Sequence, residues 1–180
     1  MKLPNLLRWL AAAALAAAAV VGFWWFYAPE ATRLKAGQQA PGLQLPSLGS
    51  TTLTRLGQFR GRPVLLTMFA SRCPLCEEEL PRLERLHREF FKRGLVVLGV
   101  ATDADASELA RFVKRHELSF FVLHDPNGRA LREIFGTSKL PETYLIDRDG
   151  IVRAVYQGRM RDKRDEIRQW IERQLAQAAD

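Results

Sequence analysis

The sequence predicts an α/β domain, a central sheet with helices on its faces, on three observations. Short β-branched and aliphatic runs alternate with longer stretches of helical periodicity from residue 64 onward. Asp149-Gly150 between Tyr144-Leu145-Ile146 and Ile151-Val152 is a hairpin signal. Cys73-Pro74-Leu75-Cys76 stands where an apolar run gives way to a helical pattern, the kind of junction at which open α/β sheets carry their sites.

Taken in order, Pro41, Gly42, Pro46, Gly49 and Ser50 punctuate a loop-rich entry with room for one or two short strands. Val64 to Phe69 is uninterruptedly apolar but for Thr67 and reads as a core strand. A helix over 74–92 comes next, with Pro81 inside it expected to bend it. Strand 95–101 precedes helix 106–116, where Leu109, Phe112 and Val113 share one face behind Ser107. Strand 119–123 leads to the Asp125-Pro126-Asn127-Gly128 turn and a helix over 128–135. Strands 143–147 and 151–157 form the hairpin, and helix 162–178 closes the domain, docked by Ile167, Trp170 and Leu175.

The two cysteines are the only ones in the chain, so the pair can close a small disulfide. At a helix start the first sulfur faces unpaired amides and the positive end of the dipole, which favour thiolate and make Cys73 the candidate nucleophile. Two cysteines cannot complete a four-ligand zinc site, and the chain has no His pair at finger spacing after them. Arg72 either lowers the thiol pKa and steers an acidic partner or is a solvated loop arginine. Glu79, three residues beyond Cys76, is placed to exchange protons with that thiol; alternatively Glu77, Glu78 and Glu79 simply complement the helix start.

In front of the domain, Trp9 to Ala28 contains no charged residue, and twenty apolar residues in helical rise match a bilayer core. Lys2 and Arg8 precede the run and Phe23-Trp24-Trp25-Phe26-Tyr27 forms an aromatic belt at its far end. Residues 1–28 therefore read as a signal anchor, 29–39 as a tether and 40–180 as the folded domain. Bulky aromatics at the point where a peptidase needs small residues favour an uncleaved segment. An amino-terminal segment of this type exports the long domain behind it, so the domain is expected on the periplasmic side of the inner membrane.

The formal charge is +7, a mild basic excess. Arg159, Arg161, Lys163, Arg164, Arg168 and Arg173 cluster near the end, but Asp162, Asp165, Glu166 and Glu172 interleave with them. That is a solvated helix face rather than a nucleic-acid surface. His87, His116 and His124 show no metal-ligand spacing, and no bound cofactor is expected.

Two blocks carry a family resemblance. Val64 to Pro81 resembles the active-site block of the TlpA/ResA-like thioredoxins, related to CcmG/DsbE, and Leu140-Pro141-Glu142-Thr143-Tyr144-Leu145-Ile146-Asp147 resembles their cis-proline block. The similarity runs from about Ala36 to Ala178. It implies a thioredoxin fold with a mixed sheet and the additional strand and helix of that group, behind a membrane anchor. It also implies a thiol:disulfide oxidoreductase, with Cys73 attacking and Cys76 resolving. Pro141 would be cis and, with Leu140, present backbone to the substrate. Glu79 matches a carboxylate that influences proton movement near the resolving cysteine, and Glu142 succeeds the proline as in members serving cytochrome c maturation. The implied partners are an exported client such as apocytochrome c and a membrane thiol donor. Arg72 stands where the family usually has Trp, and Thr67 where cytoplasmic thioredoxins bury an Asp.

Three alternatives stay open at this point. One is the same fold acting as an oxidant. Another is a Sco-like copper carrier using His124, although those proteins space their cysteines by three residues. The third is a peroxiredoxin-like peroxidase, which would want Thr where Ala70 stands.

Overall fold

The computed structural model describes residues 33–177, together with Leu10, residues 13–14 and residues 16–20. It divides the chain into two units, Met1–Thr32 and Arg33–Asp180. The described residues of the first unit are helical. Among the described residues no helix is long and apolar enough to cross a membrane, and most of the expected span over 9–28 lies outside them.

The second unit carries two sheets. β1 (Gln44–Pro46) and β2 (Leu53–Arg55) form an antiparallel pair. The main sheet has the order β5-β4-β3-β6-β7, built from β3 (Val64–Phe69), β4 (Val96–Ala101), β5 (Phe121–His124), β6 (Glu142–Ile146) and β7 (Val152–Gln157). β3, β4 and β5 run parallel, while β6 lies antiparallel to β3 and β7 antiparallel to β6. The fold is thioredoxin-like with a mixed sheet, as the two blocks implied. β3 and β4 are buried along their whole length, which explains why their sequences are continuous apolar runs rather than alternating ones.

Helices lie on both faces of the sheet, as expected, but unequally. α1 (Pro74–Phe90), α2 (Ala106–Arg115) and α3 (Arg164–Ala176) all pack on one face, where Leu80, Leu83, Phe112, Ile167 and Trp170 join Leu65 and Phe69 in one core. The other face is closed by the entry segment, through Leu34, Leu43, Leu56 and Phe59, and by Leu131 and Phe135. There the predicted 128–135 helix is one π-helical stretch, Ala130–Ile134. The buried Asp125 carboxylate takes the amides of Arg129, Ala130 and Leu131 at its start, and Phe135 bonds back five residues to Ala130, the π-helical spacing.

The domain also begins earlier than residue 40. Gly37 donates to Val152 and Ala40 to Gly150, both at 2.8 Å, so the stretch 33–39 is laid against the start of β7 instead of serving as tether. α1 runs on through Pro81 and ends in a tight turn, Phe91–Arg93, with Gly94 left-handed at φ +114. The Asp149-Gly150 hairpin forms, with Gly150 at φ +73 and the Asp147 carboxylate accepting the Asp149 and Ile151 amides.

The packing is testable at two points. A Cβ on Gly99 of β4 would lie 2.9 Å from Phe69 Cε1 and 3.0 Å from Phe120 Cε2, so Gly99→Ala is expected to destabilise by about 1–3 kcal/mol in denaturant titration. Glu84, almost wholly buried, accepts the Ser119 amide at 2.8 Å, the Ser119 hydroxyl at 2.6 Å and Arg88 Nε at 2.6 Å. Burial alone would raise its pKa, but Arg88 and Ser119 outweigh that and hold it below the ordinary value. Its contribution is then complete above the unfolded carboxylate value of about 4.3 and lost as pH falls through the lower folded value. The stability gap between the wild type and Glu84→Gln, read from urea midpoints, shrinks on going from about pH 7 to about pH 3.

Candidate functional site

The chain leaves β3 at Phe69 and turns through Ala70, Ser71 and Arg72 into α1. Cys73 is the N-cap of α1, extended at φ −98, with Pro74 at the first helical position where a missing amide costs nothing. Its sulfur accepts the Cys76 amide at 3.1 Å, in the role that a Ser or Asp oxygen takes at other helix starts. The two cysteines are joined in a disulfide with Cα atoms 5.2 Å apart. Their environments differ: Cys73 is partly exposed, whereas Cys76 is sealed in the core beneath α1.

The sheet brings the second block to the same place. Met68 pairs with Glu142 at the end of the β3–β6 ladder, so Pro141 sits at the carboxyl edge of β3, and the Leu140–Pro141 peptide is cis. Pro141 oxygen accepts the Gly158 amide at 2.9 Å, and a Cβ on Gly158 would lie 3.5 Å from Leu75 Cδ2. The CPLC turn, the cis-proline and the loop after β7 therefore adjoin at one edge of the domain, with Cys73 and Leu140 partly exposed and Pro141 buried. Leu140 packs at the rim of both cores. Under the turn, Thr67 and Thr143 share a buried hydroxyl pair at 3.0 Å, so the position holds no charge.

The charged candidates are each engaged. Arg72, strongly exposed, forks onto Glu108 of α2, Nε to Oε1 and Nη2 to Oε2, both at 3.0 Å. That hydrogen-bonded pair raises the Arg72 pKa and lowers that of Glu108. Glu79 is buried; its Oε1 pairs with Arg82 and its Oε2 accepts the Met160 amide at 3.3 Å, beside a cavity of about 380 Å³ between α1 and α3. Glu142 has no exposed surface. Its Oε1 accepts Arg33 Nη2 at 2.6 Å and Gln157 Nε2 at 3.1 Å, while Oε2 and the neighbouring Tyr144 hydroxyl have no hydrogen-bond partner among the described residues. Burial, reinforced by the Glu142 charge, pushes the Tyr144 hydroxyl well above the ordinary phenol range.

Several participants escaped the sequence reading. Asp103 accepts the Ser71 amide at 3.0 and 3.1 Å and the Ser71 hydroxyl, and Asp105 caps α2. Their position just past β4, at the same sheet edge as Cys73, was the available signal. Arg33 carried no local pattern that would have marked it, and Arg159, grouped by sequence with the basic face of the last helix, precedes that helix and forks onto Glu78 at 3.2 and 3.3 Å.

Residues 36–155 match the AhpC/TSA family, two thirds of the chain including both cysteines and the cis-proline. The chain belongs to that family. Among curated relatives it is 30% identical to the thioredoxin-like protein YneN of Bacillus subtilis over 163 residues, 88% of this chain and 94% of that one. It is 31% identical to the thiol-disulfide oxidoreductase ResA of Halalkalibacterium halodurans over 129 residues, 72% of each. A Chlorobium tepidum structure assigned as a thiol:disulfide interchange protein DsbE superposes with a TM-score of 0.71 at 26% identity, covering 80% of this chain and 99% of that one. A secreted Mycobacterium tuberculosis disulfide oxidoreductase shares the fold at a TM-score of 0.63 and 20% identity, covering 73% of this chain and 95% of that one. This AhpC/TSA member is thus a thioredoxin-like thiol-disulfide oxidoreductase of the ResA/DsbE type.

The Arg33 contact is open to test. Arg33→Ala leaves the buried Glu142 carboxylate without its cation and is expected to destabilise by about 1–3 kcal/mol. Most of the loss should return in Arg33→Ala/Glu142→Gln, and a double-mutant cycle in urea measures it.

Proposed function

We propose that this chain is a membrane-tethered reductant of disulfides in exported proteins. The Cys73 thiolate attacks one sulfur of a client disulfide, forming a mixed disulfide and releasing the first client thiolate. Cys76, deprotonated, then attacks Cys73; the Cys73–Cys76 bond forms and the second client thiolate leaves. Two electrons pass to the client, whose thiolates take up protons, and a membrane thiol donor returns the chain to the dithiol. The observation that carries this reading is the contrast between the two sulfurs, one accessible at a helix N-terminus and one buried three residues on.

Pro141 and Leu140, with Arg72 at the edge, supply the surface on which the client backbone would lie, while Glu142, expected to touch the client, has no exposed surface and supports Pro141 from beneath through Arg33 and Gln157. Glu79, three residues from Cys76 on α1, is the carboxylate through which the resolving thiol would lose its proton. The uncharged run from Trp9 to Ala28 supports an inner-membrane anchor with the redox domain in the periplasm. The Pro141-Glu142 step supports cytochrome c maturation, with apocytochrome c as client. Copper delivery is disfavoured by the two-residue cysteine gap and by His124, whose Nε2 lies 2.7 Å from the Asp103 carbonyl. Peroxide reduction is disfavoured by Ala70.

Cys76→Ser in the full chain should accumulate a mixed disulfide with its client through Cys73, and Cys73→Ser should accumulate none and lose at least a hundredfold in disulfide reduction. Equilibration with glutathione assigns direction. A potential near the thioredoxin value of about −270 mV is expected, and one near the DsbA value of about −120 mV would make the chain an oxidant.

A further inference from the structure

Arg72 immediately precedes Cys73, and a guanidinium there would ordinarily favour thiolate. Here the cation is held. Both ends of its fork lie on Glu108 in the first turn of α2, and Asp103 and Asp105 add attraction from the same side. The acidic side of this clamp is itself fixed. Asp103 grips the Ser71 amide and hydroxyl, its carbonyl meets His124 Nε2 at 2.7 Å, and Asp105 accepts the Ser107 amide at 2.7 Å.

We propose that Glu108 is a positioning residue for thiol exchange: by forking Arg72 it neutralises the cation next to Cys73 and keeps the CPLC pair reducing. The proposal rests on Cys73 being the attacking thiol. A thiolate stabilised by an unopposed cation stabilises the reduced protein, which is what makes a strong oxidant. The helix N-terminus already draws Cys73 toward thiolate, and the Glu108 fork withholds the further pull that Arg72 would add.

The remaining charges around the turn do not duplicate this role. Glu77 faces His116, the C-cap of α2, at 3.1 Å, and Glu78 is forked by Arg159. Glu79 is turned to Arg82 and Met160. Lys139, two residues before the cis-proline, is exposed and makes no ion pair among the described residues, so it does not engage Arg72 or Glu108.

The test uses the full chain as wild type, Glu108→Gln, Arg72→Ala and the double variant. Ultraviolet thiolate absorbance against pH gives the Cys73 pKa, and glutathione equilibration gives the potential. Glu108→Gln is expected to lower the Cys73 pKa by about half a unit. The equilibrium should move about threefold toward the dithiol, or about 15 mV at 29.6 mV per decade. In the Arg72→Ala background the same substitution should move both by clearly less, since only the direct field of Glu108 is then removed. Equal shifts in both backgrounds, or none in either, overturn the proposal while leaving Cys73 as the attacker. A wild-type Cys73 that never ionises over the accessible pH range overturns both.

Discussion

β3 is hydrogen-bonded to β4 on one side and β6 on the other, and each of its six side chains is buried. The site hangs from the carboxyl end of this strand. Parallel pairing with β4 places the acidic segment after Ala101 beside the turn that carries Cys73, and Thr102 closes the gap by donating its amide to the Phe69 carbonyl at 3.0 Å. Antiparallel pairing with β6 delivers Pro141 to the same edge. A register slip by one residue would exchange the two faces and separate the cysteines from the proline.

Around that edge the charges come in matched sets. Arg72 meets Glu108, Arg159 meets Glu78, Arg82 meets Glu79 and Arg33 meets Glu142. The exposed pairs add little to stability but fix where their side chains point. The two that involve buried carboxylates have a stronger structural role, since an unpaired buried charge is costly. The sulfur pair is left in a setting dominated by helix amides and an uncharged Thr67–Thr143 contact, so its chemistry depends on a small number of nearby ions.

Much of this was legible in the sequence because it depends on local patterns. The strand at 64–69 has the same bounds in the structure, and the helix beginning at Pro74 reflects a proline placed after a capping side chain. The hairpin at Asp149-Gly150 needed only its glycine. The cis peptide before Pro141 came from resemblance, since nothing in the composition distinguishes it from a trans bond. Contacts between distant residues were not legible in this way. No periodicity announces that Glu108 reaches Arg72, that Arg33 covers Glu142, or that Asp125 would take three amides. Alternation also predicted helices on both faces of the sheet, but only tertiary packing decides that three take one face and the stretch Ala130–Ile134 the other.

The accessible sulfur at the start of α1 has to be the one that reacts for the rest of the chemistry to hold. Competitive labelling of the fully reduced chain with limiting iodoacetamide at neutral pH, with the modified cysteine located by mass spectrometry, measures this directly. Label on Cys73 with Cys76 protected until the protein is denatured is the predicted result. Label falling first on Cys76, or equally on both in the folded protein, would contradict it.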